Sequence, residues 1–314
     1  MKTTATDIFQ KLQDEGIIDS QGVIQFRFAG IDVQIEKKDV IGNIIEEWVK
    51  KWLEAHGIDF IHNESQNPPD FYLDPDDKTK NLLEVKVFDY DASPGFDIAD
   101  FKMYAKELLQ KPFMLQADYL IFGYSMNGGI VTIRRIWLQK VWEITRRGRK
   151  TPLFLQVKNG TIHKIRPAKW YSDKRIEYNV FTSPEHFISA IDETMHSARD
   201  QMGDIDTRTW LSDFKTAYKQ QYSQTLTIPR WDDIADSYDV KLEKKKAKAT
   251  KDRDDASKKV DKAQEVVASL EGEVQKAQTE KQRTAALERL QRAQASLQVA
   301  EQLLEQKQQF LNSL

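Results

Sequence analysis

Three charged side chains in the first third of the chain have the types and spacing of a hydrolytic metal site. Asp70 follows Pro68-Pro69 and opens the short apolar run Phe71-Tyr72-Leu73. Eleven residues later comes Leu82-Leu83-Glu84-Val85-Lys86-Val87-Phe88. Side chains two apart on a strand point the same way, so Glu84 and Lys86 share one face while Leu83, Val85 and Val87 share the other. Carboxylates take a hard divalent cation. A lysine beside them can hold a phosphate oxygen or a water at the metal. The chemistry this suggests is metal-assisted hydrolysis of a phosphodiester.

The surrounding pattern predicts the elements that must position these residues. Ile41, Ile44, Ile45, Trp48, Val49 and Trp52 form an apolar stripe at helical spacing, giving a helix over 41–55 with Asp39 as N-cap and Gly57 closing its C-terminus. A first helix is expected over 7–14. Period-2 alternation on both sides of Ala29-Gly30 predicts a β-hairpin from Val23 to Ile35. Ile58 to Ile61, Asp70 to Leu73 and Leu82 to Phe88 read as strands, the last two joined by the turn cluster Asp74-Pro75-Asp76-Asp77-Lys78. A helix over 98–109 and strands over 119–124 and 130–136 follow. Further on come a short helix over 136–144, strands near 153–157 and 161–165, and helices over 184–202 and 210–222. The order is that of an α/β unit around a mixed sheet. Pro75-Asp76 repeats the Pro-Asp pair, but in a turn and not at a strand. His62 lies near the site in sequence and has no partner motif, which favours a structural role.

Two compositional shifts set further expectations. The net charge is only −2, yet residues 134 to 175 hold 13 Lys/Arg against two acids, Glu143 and Asp173. A segregated cationic segment is an electrostatic footprint for nucleic acid. Its candidate DNA contacts are Arg146, Arg147, Arg149, Lys150, Lys164, Arg166, Lys169, Lys174 and Arg175, interleaved with Trp170 and Tyr171. Which of them meets a phosphate and which a base edge does not follow from the sequence. After about residue 240 the chain has no Pro, one Gly and one aromatic residue, and is rich in Ala, Glu, Lys, Gln and Leu. That composition predicts long helix or coiled coil. Two apolar series, Val260 to Ala277 and Ala286 to Leu304, run out of phase on either side of 279–284. Thr279 with Gln282 fits a capping box opening a second helix. A hairpin of two arms is favoured over one long helix pairing with a second chain. The expected domains are thus 1–240, catalytic and DNA-binding, and 241–314, helical.

There is no cysteine, which excludes disulfides, thiolate metal sites and a cysteine nucleophile. No run approaches the ~18 apolar residues of a membrane span, and the first residues lack the apolar stretch of a signal peptide.

With these residues in view, the chain resembles the PD-(D/E)XK nuclease superfamily. Pro69-Asp70 matches its first element, and Glu84-Val85-Lys86 its second, 14 residues on. Ile41-Gly42-Asn43, Leu82 to Lys86, Val141-Trp142-Glu143-Ile144 and Ile165-Arg166-Pro167 make it most similar to the NgoBV/NlaIV type of restriction enzyme, over about residues 22–187. The resemblance implies an α/β restriction-endonuclease-like core, a central mixed sheet flanked by helices, to which the coiled-coil helical tail is an addition. It implies a type II restriction endonuclease of a bacterial restriction-modification system, cytoplasmic, Mg²⁺-dependent, acting on double-stranded DNA as a homodimer with no membrane involvement. By the same resemblance Asp70, Glu84 and the Val85 carbonyl hold Mg²⁺, and Lys86 orients or helps deprotonate the attacking water. A carboxylate from the first core helix joins them. Periodicity does not choose between Glu46 and Glu47, while the resemblance favours Glu46, four residues after Gly42. The alternatives are a structure-specific or repair DNA nuclease, and a non-catalytic DNA-binding protein whose coiled coil is the interaction module.

Overall fold

The strand bearing Glu84 and Lys86 is interior to a sheet because both its flanks pair. In this computed structural model, which describes residues 2–65, 68–172, 174 and 176–314, the strand is β6, Leu82–Asp89. It is preceded by helix α1 (Ala5–Asp14), strands β1 (Gln21–Val23), β2 (Gln25–Phe28) and β3 (Ile31–Gln34), helix α2 (Ile41–Ala55), and strands β4 (Ile61–His62) and β5 (Phe71–Tyr72). After it come β7 (Ala99–Asp100), α3 (Phe101–Gln110), β8 (Asp118–Asn127), β9 (Ile130–Lys140), β10 (Leu155–Lys158), β11 (Thr161–Ile165), α4 (Pro184–Ser197), α5 (Trp210–Tyr222) and α6 (Trp231–Ile234). Contacts divide the chain into two compact units, Met1–Tyr238 and Asp239–Leu314.

The main sheet of the first unit runs β1-β9-β8-β6-β5-β4. β6 and β8 pair in parallel, with Glu84 opposite Tyr119 and Lys86 opposite Ile121; the other pairs are antiparallel. The sheet is therefore mixed, and the connection between its two parallel strands contains α3, as a crossover requires. Apolar alternation buries both faces. Leu83, Val85, Leu120 and Phe122 pack with Val49, Trp52 and Leu53 of α2 and with Ile8 and Leu12 of α1. On the other side Leu82, Phe88, Tyr119 and Ile121 pack with Phe101, Tyr104 and Leu108 of α3 and with residues of α4 and α5. Glu84 and Lys86 have the parity of Leu82 and Phe88, so they face the α3 side.

Several local expectations are revised. Asp39 does not cap α2: it lies in a 3-10 turn, Lys38–Val40, and Val40 stands at the cap with no side-chain hydrogen bond. The helix expected over 136–144 is strand as far as Lys140, because β9 stays paired with β8 down to Lys140 opposite Asp118, where the two side chains form a 2.7 Å ion pair. Only Val141–Ile144 turn, as a 3-10 segment. The strand near 58–61 is confined to Ile61–His62, and the helix expected to reach 202 ends at Ser197.

The second unit is two long helices, α7 (Val240–Lys276) and α8 (Glu280–Asn312). Thr279 caps α8 in a reciprocal capping box with Gln282. Ion pairs join Glu273 to Arg289 and Asp252 to Lys307. Partners early in α7 meet residues late in α8, so the arms are antiparallel. The small residues Ala249, Ala256 and Ala286 are buried, which lets two helices approach closely.

Candidate active site

β5 is only two residues long. It pairs with β6 at Phe71↔Leu83 and Tyr72↔Leu82 and then stops. Beyond that point one edge of β6 has no strand beside it, and Asp70 takes the vacated place. Its Oδ2 accepts the Val85 N–H at 2.7 Å. In an extended strand a residue's N–H and C=O leave by the same edge, so the Val85 carbonyl also emerges toward Asp70 and away from β8.

Glu84 is 2% exposed. Its Oε1 accepts from Lys86 Nζ at 2.6 Å. Its other oxygen, Oε2, is buried and has no hydrogen-bond partner among the described residues. An unsatisfied buried acceptor costs about 1–3 kcal/mol, more when charged. Such a group in a cleft is a candidate functional atom.

The electrostatics follow from crowding acids in a dry place. Burial, reinforced by the Glu84 charge and to a lesser extent by Glu46, pushes the Asp70 carboxyl up to about 8, against the pull of Lys86 and the Val85 N–H. Burial works against the Lys86 ammonium. Glu84 and Asp70 together outweigh it and hold Lys86 above the ordinary lysine value. Asp70, Glu84 and Lys86 therefore act on one another as a unit. Glu46 on α2 belongs to the same field, since its charge acts on both Asp70 and Lys86. Glu46 Oε1 lies 3.4 Å from His62 Nε2, and the His62 ring packs on Phe71 at 5.2 Å. Asp76 of the second Pro-Asp pair, together with Asp74 before it, is turned to Lys2.

The site opens into a cleft of about 370 Å³ whose walls include Asp100, Tyr104, Glu107 and Lys164. Three of these escaped notice in the sequence. Asp100 reads as an ordinary helix cap and does cap α3, accepting from Met103 N at 3.2 Å. Glu107 and Tyr104 read as helix residues. Tyr104 is fully buried, its hydroxyl has no partner among the described residues, and burial with the nearby Glu84 and Glu107 raises its pKa. No sequence signal marks them, because β7 and α3 reach the site only through the crossover. Lys164 enters from β11, which pairs with β7 at Asp100, and its Nζ is 3.7 Å from Asp100 Oδ2. Among the described residues no three or more acid or histidine side chains are gathered closely enough to form a metal cluster by themselves.

The cationic segment folds around a second, larger cleft of about 1020 Å³, lined by Arg146, Arg149, Arg166 and Lys169. The residues differ in how free they are. Arg146 stacks over Phe154, 3.8 Å from its ring centre, and burial lowers its pKa. Arg147 donates to Ala235 O at 2.8 Å. Arg149 is forked on Glu177, and Arg166 is bonded to Asp97 and to Gly95 O. Lys150, Lys169 and Lys174 are exposed; Arg175 lies outside the described residues. Trp170 and Tyr171 are not free aromatics. They pack with Phe88, Tyr90 and Trp137 at the end of β6.

A family model for the NgoBV restriction endonuclease matches residues 2–238. The chain belongs to the NgoBV restriction endonuclease family. It is 46% identical over 244 residues to the type II restriction enzyme NlaIV of Neisseria lactamica, an alignment that spans 77% of this chain and 100% of the relative. It is 47% identical over 149 residues to the type II restriction enzyme NgoBV of Neisseria gonorrhoeae, covering 46% of this chain and 85% of that one. The solved NlaIV restriction endonuclease superimposes with a TM-score of 0.72 at 46% identity, over 76% of this chain and 98% of that one. The NgoBV family match thus takes in Asp70, Glu84, Lys86, Glu46 and the cationic cleft, and stops short of α7 and α8. Among the described residues no helix is long and apolar enough to cross a membrane.

Proposed function

We propose that the chain is a Mg²⁺-dependent, sequence-specific endonuclease of double-stranded DNA, working as a homodimer. Family membership supports DNA cleavage. The observation that carries the chemistry is the buried Glu84 Oε2, without a partner among the described residues, beside a lysine held charged 2.6 Å from the same carboxylate. Asp70, Glu84 and the Val85 carbonyl form the inner donor set, and Glu46 stands behind it. Two carboxylates and a carbonyl suit Mg²⁺, which uses few protein ligands and keeps waters and phosphate oxygens for the rest. When bound, the ion supplies Lewis acidity toward the scissile phosphate.

The protein's own groups do the remainder. Lys86, fixed by Glu84, offers N–H donors to the attacking water or to a phosphate oxygen and offsets charge building on the phosphate. The Val85 N–H holds Asp70 in place. Lys150, Lys169 and Lys174 supply salt-sensitive phosphate affinity. Arg149 and Arg166 exchange their present carboxylate partners for DNA or keep the cleft in shape. One such site cuts one strand, so a two-fold pair of chains serves both strands of a palindrome.

The test is incubation with phage DNA and Mg²⁺, with the ends mapped by sequencing, beside Lys86→Ala. Discrete fragments are expected from the parent, and a loss of about 10²–10⁴-fold from the variant with DNA binding retained. Full cleavage by Lys86→Ala sinks the assignment. A smear, or cutting only at junctions, turns it to a structure-specific nuclease.

A further inference from the structure

Helix α7 opens on a concentration of positive charge that the rest of the second unit lacks. Residues 240–251 hold six lysines against one acid, Glu243, whereas residues 252–276 hold five basic residues against seven acids. Lys241, Lys244, Lys248 and Lys251 alternate spacings of three and four, which puts them on one face of the helix. All four are exposed. The stripe lies about a third of a turn round α7 from the buried Ala249, Ala256 and Val260. Lys245, off the stripe, stands over the Phe310 ring of α8 at 5.5 Å. Ion pairs on α7 engage Arg253, Lys258 and, across to α8, Asp252 and Glu273. Among the described residues none engages the four stripe lysines.

This arrangement works against the helix that carries it. Lys244 and Lys248 are like charges four apart, and Lys241–Lys244 and Lys248–Lys251 are like charges three apart; such pairs oppose helix formation. Cations in the first turns also face the positive end of the helix dipole. A face kept only for solvation is better served by Glu and Lys four apart. A run that breaks the local rules with no gain to the fold marks a functional surface.

We infer that this stripe tracks the phosphates of duplex DNA flanking the cut site and adds affinity that is independent of sequence. The chemistry selects the occupant. Lysine is a point charge suited to phosphate oxygens. Residues 240–251 contain no Arg, Asn, Gln or aromatic residue to read a base edge or to stack on a base. A lipid surface requires a free apolar face beside the basic one, and residues 240–251 expose no large apolar side chain. The four lysines span about 15 Å of helix, the axial length of about four phosphates on one DNA strand. α7 is joined to the first unit at Asp239, so a duplex held by that unit meets the stripe as a tethered ligand, at raised effective concentration. The inference rests on the endonuclease reading, which supplies the duplex, and gives residues beyond the family match a share in holding it.

Fluorescence anisotropy of a short labelled duplex with the full chain tests it, in EDTA so that nothing is cut, over a series of NaCl concentrations. Combining Lys241→Gln, Lys244→Gln, Lys248→Gln and Lys251→Gln is expected to lower the slope of log affinity against log salt by about 3–4, at ~0.9 per phosphate contact. Between about 50 and 200 mM salt the parent then loses about 100-fold more affinity than the variant. Arg at the same four positions should restore the slope. A matched loss of charge elsewhere, Lys276→Gln, Lys281→Gln, Arg283→Gln and Arg292→Gln, should leave it at the parent value. The thermal midpoint of the stripe variant should equal or exceed the parent's, because like-charge pairs are removed. An unchanged slope overturns the inference, and so does an equal fall in the matched control, which would make the effect one of net charge. Parent binding to phosphatidylserine vesicles as tightly as to the duplex, lost in the stripe variant, overturns it in favour of a membrane surface. With Mg²⁺ and saturating DNA the stripe variant should give the parent's fragments. A parent that shows the expected slopes yet never cuts DNA leaves the stripe standing and removes the endonuclease reading instead.

Discussion

Asp70 is the residue on which folding and function pull in opposite directions. Its carboxyl is pushed from an ordinary 3.8 to about 8 by burial and by Glu84. A raised carboxyl favours the folded state only while protonated. Below about pH 4 it is protonated in both states and costs nothing. Between there and about 8 the unfolded chain ionises and the folded one resists, so stability falls as pH rises; above about 8 the loss is complete. Asp70→Asn keeps an oxygen for the Val85 N–H and removes the titration. In EDTA at pH 8 the variant is expected to be more stable than the parent by about 1 kcal/mol or more, read by urea denaturation, and to cut no DNA. A variant that is less stable at pH 8 would mean that the ionised carboxylate is a structural acceptor and not a group awaiting a cation. This trio was legible in the sequence because period-2 alternation alone puts Glu84 and Lys86 on one face. That the Glu46 charge acts on the trio was not legible, since Glu46 and Glu47 flank the α2 stripe about equally and no sequence pattern records which of them lies nearer β6. Asp100, Tyr104 and Glu107 were hidden for the related reason that no local pattern records which side of a sheet a crossover helix lands on.

At the scale of elements, the positioning of β6 depends on how closely β8 and β9 approach the aromatic cluster at its end. The β8–β9 register shifts between Gly123 and Tyr124. A Cβ at Gly123 would lie 2.9 Å from Trp137 Cζ3 and 3.0 Å from Tyr90 Cδ2. Trp137 in turn stacks on Phe88, two residues beyond Lys86 on the same strand face. Gly123→Ala should therefore destabilise the protein by about 1–3 kcal/mol through overpacking, measured as a lower urea midpoint. The near-UV circular dichroism of the Trp and Tyr cluster should change with it. An unchanged midpoint would mean that the rings yield freely and that the cluster is not a fixed support for the site. The sequence announced β8 and β9 through their apolar runs but hid their extent. Trp137, Leu138 and Val141 fit a helical turn as well as a strand, and the pairing of Lys140 with Asp118 decides the matter from 22 residues away. Trp170 and Tyr171 were likewise not placed by the sequence, which shows them only interleaved with basic residues; the fold packs them against Phe88 and Trp137.

At the scale of the whole molecule, the question is whether the enzyme ends at Tyr238. The helical composition beyond it was plain from the absence of proline and the sustained apolar spacing, and the break at Thr279 marked where the chain turns back. The antiparallel pair is braced from within: Ala249 and Ala256 of α7 and Ala286 of α8 are buried, and the pairs Glu273–Arg289 and Asp252–Lys307 bridge its own arms. The NlaIV relative, by contrast, aligns over its full length, while about a quarter of this chain is left over and the family match ends at 238. Tyr238 itself belongs to the first unit, where it stacks on Trp231 and its hydroxyl meets His186 Nδ1 at 2.5 Å. A chain truncated after Tyr238 keeps that contact, both cores of the sheet and the site. It is expected to fold, to yield the same DNA fragments as the full chain, and to cut at a rate within about threefold, a change of under 1 kcal/mol in the barrier. Cleavage lost from a truncated chain whose circular dichroism retains the strand and helix signal of the first unit would make α7 and α8 a working part of the enzyme. Retained cleavage with altered fragments would assign them a share in choosing the site, since a changed cutting pattern with an intact catalytic trio can arise only from changed recognition.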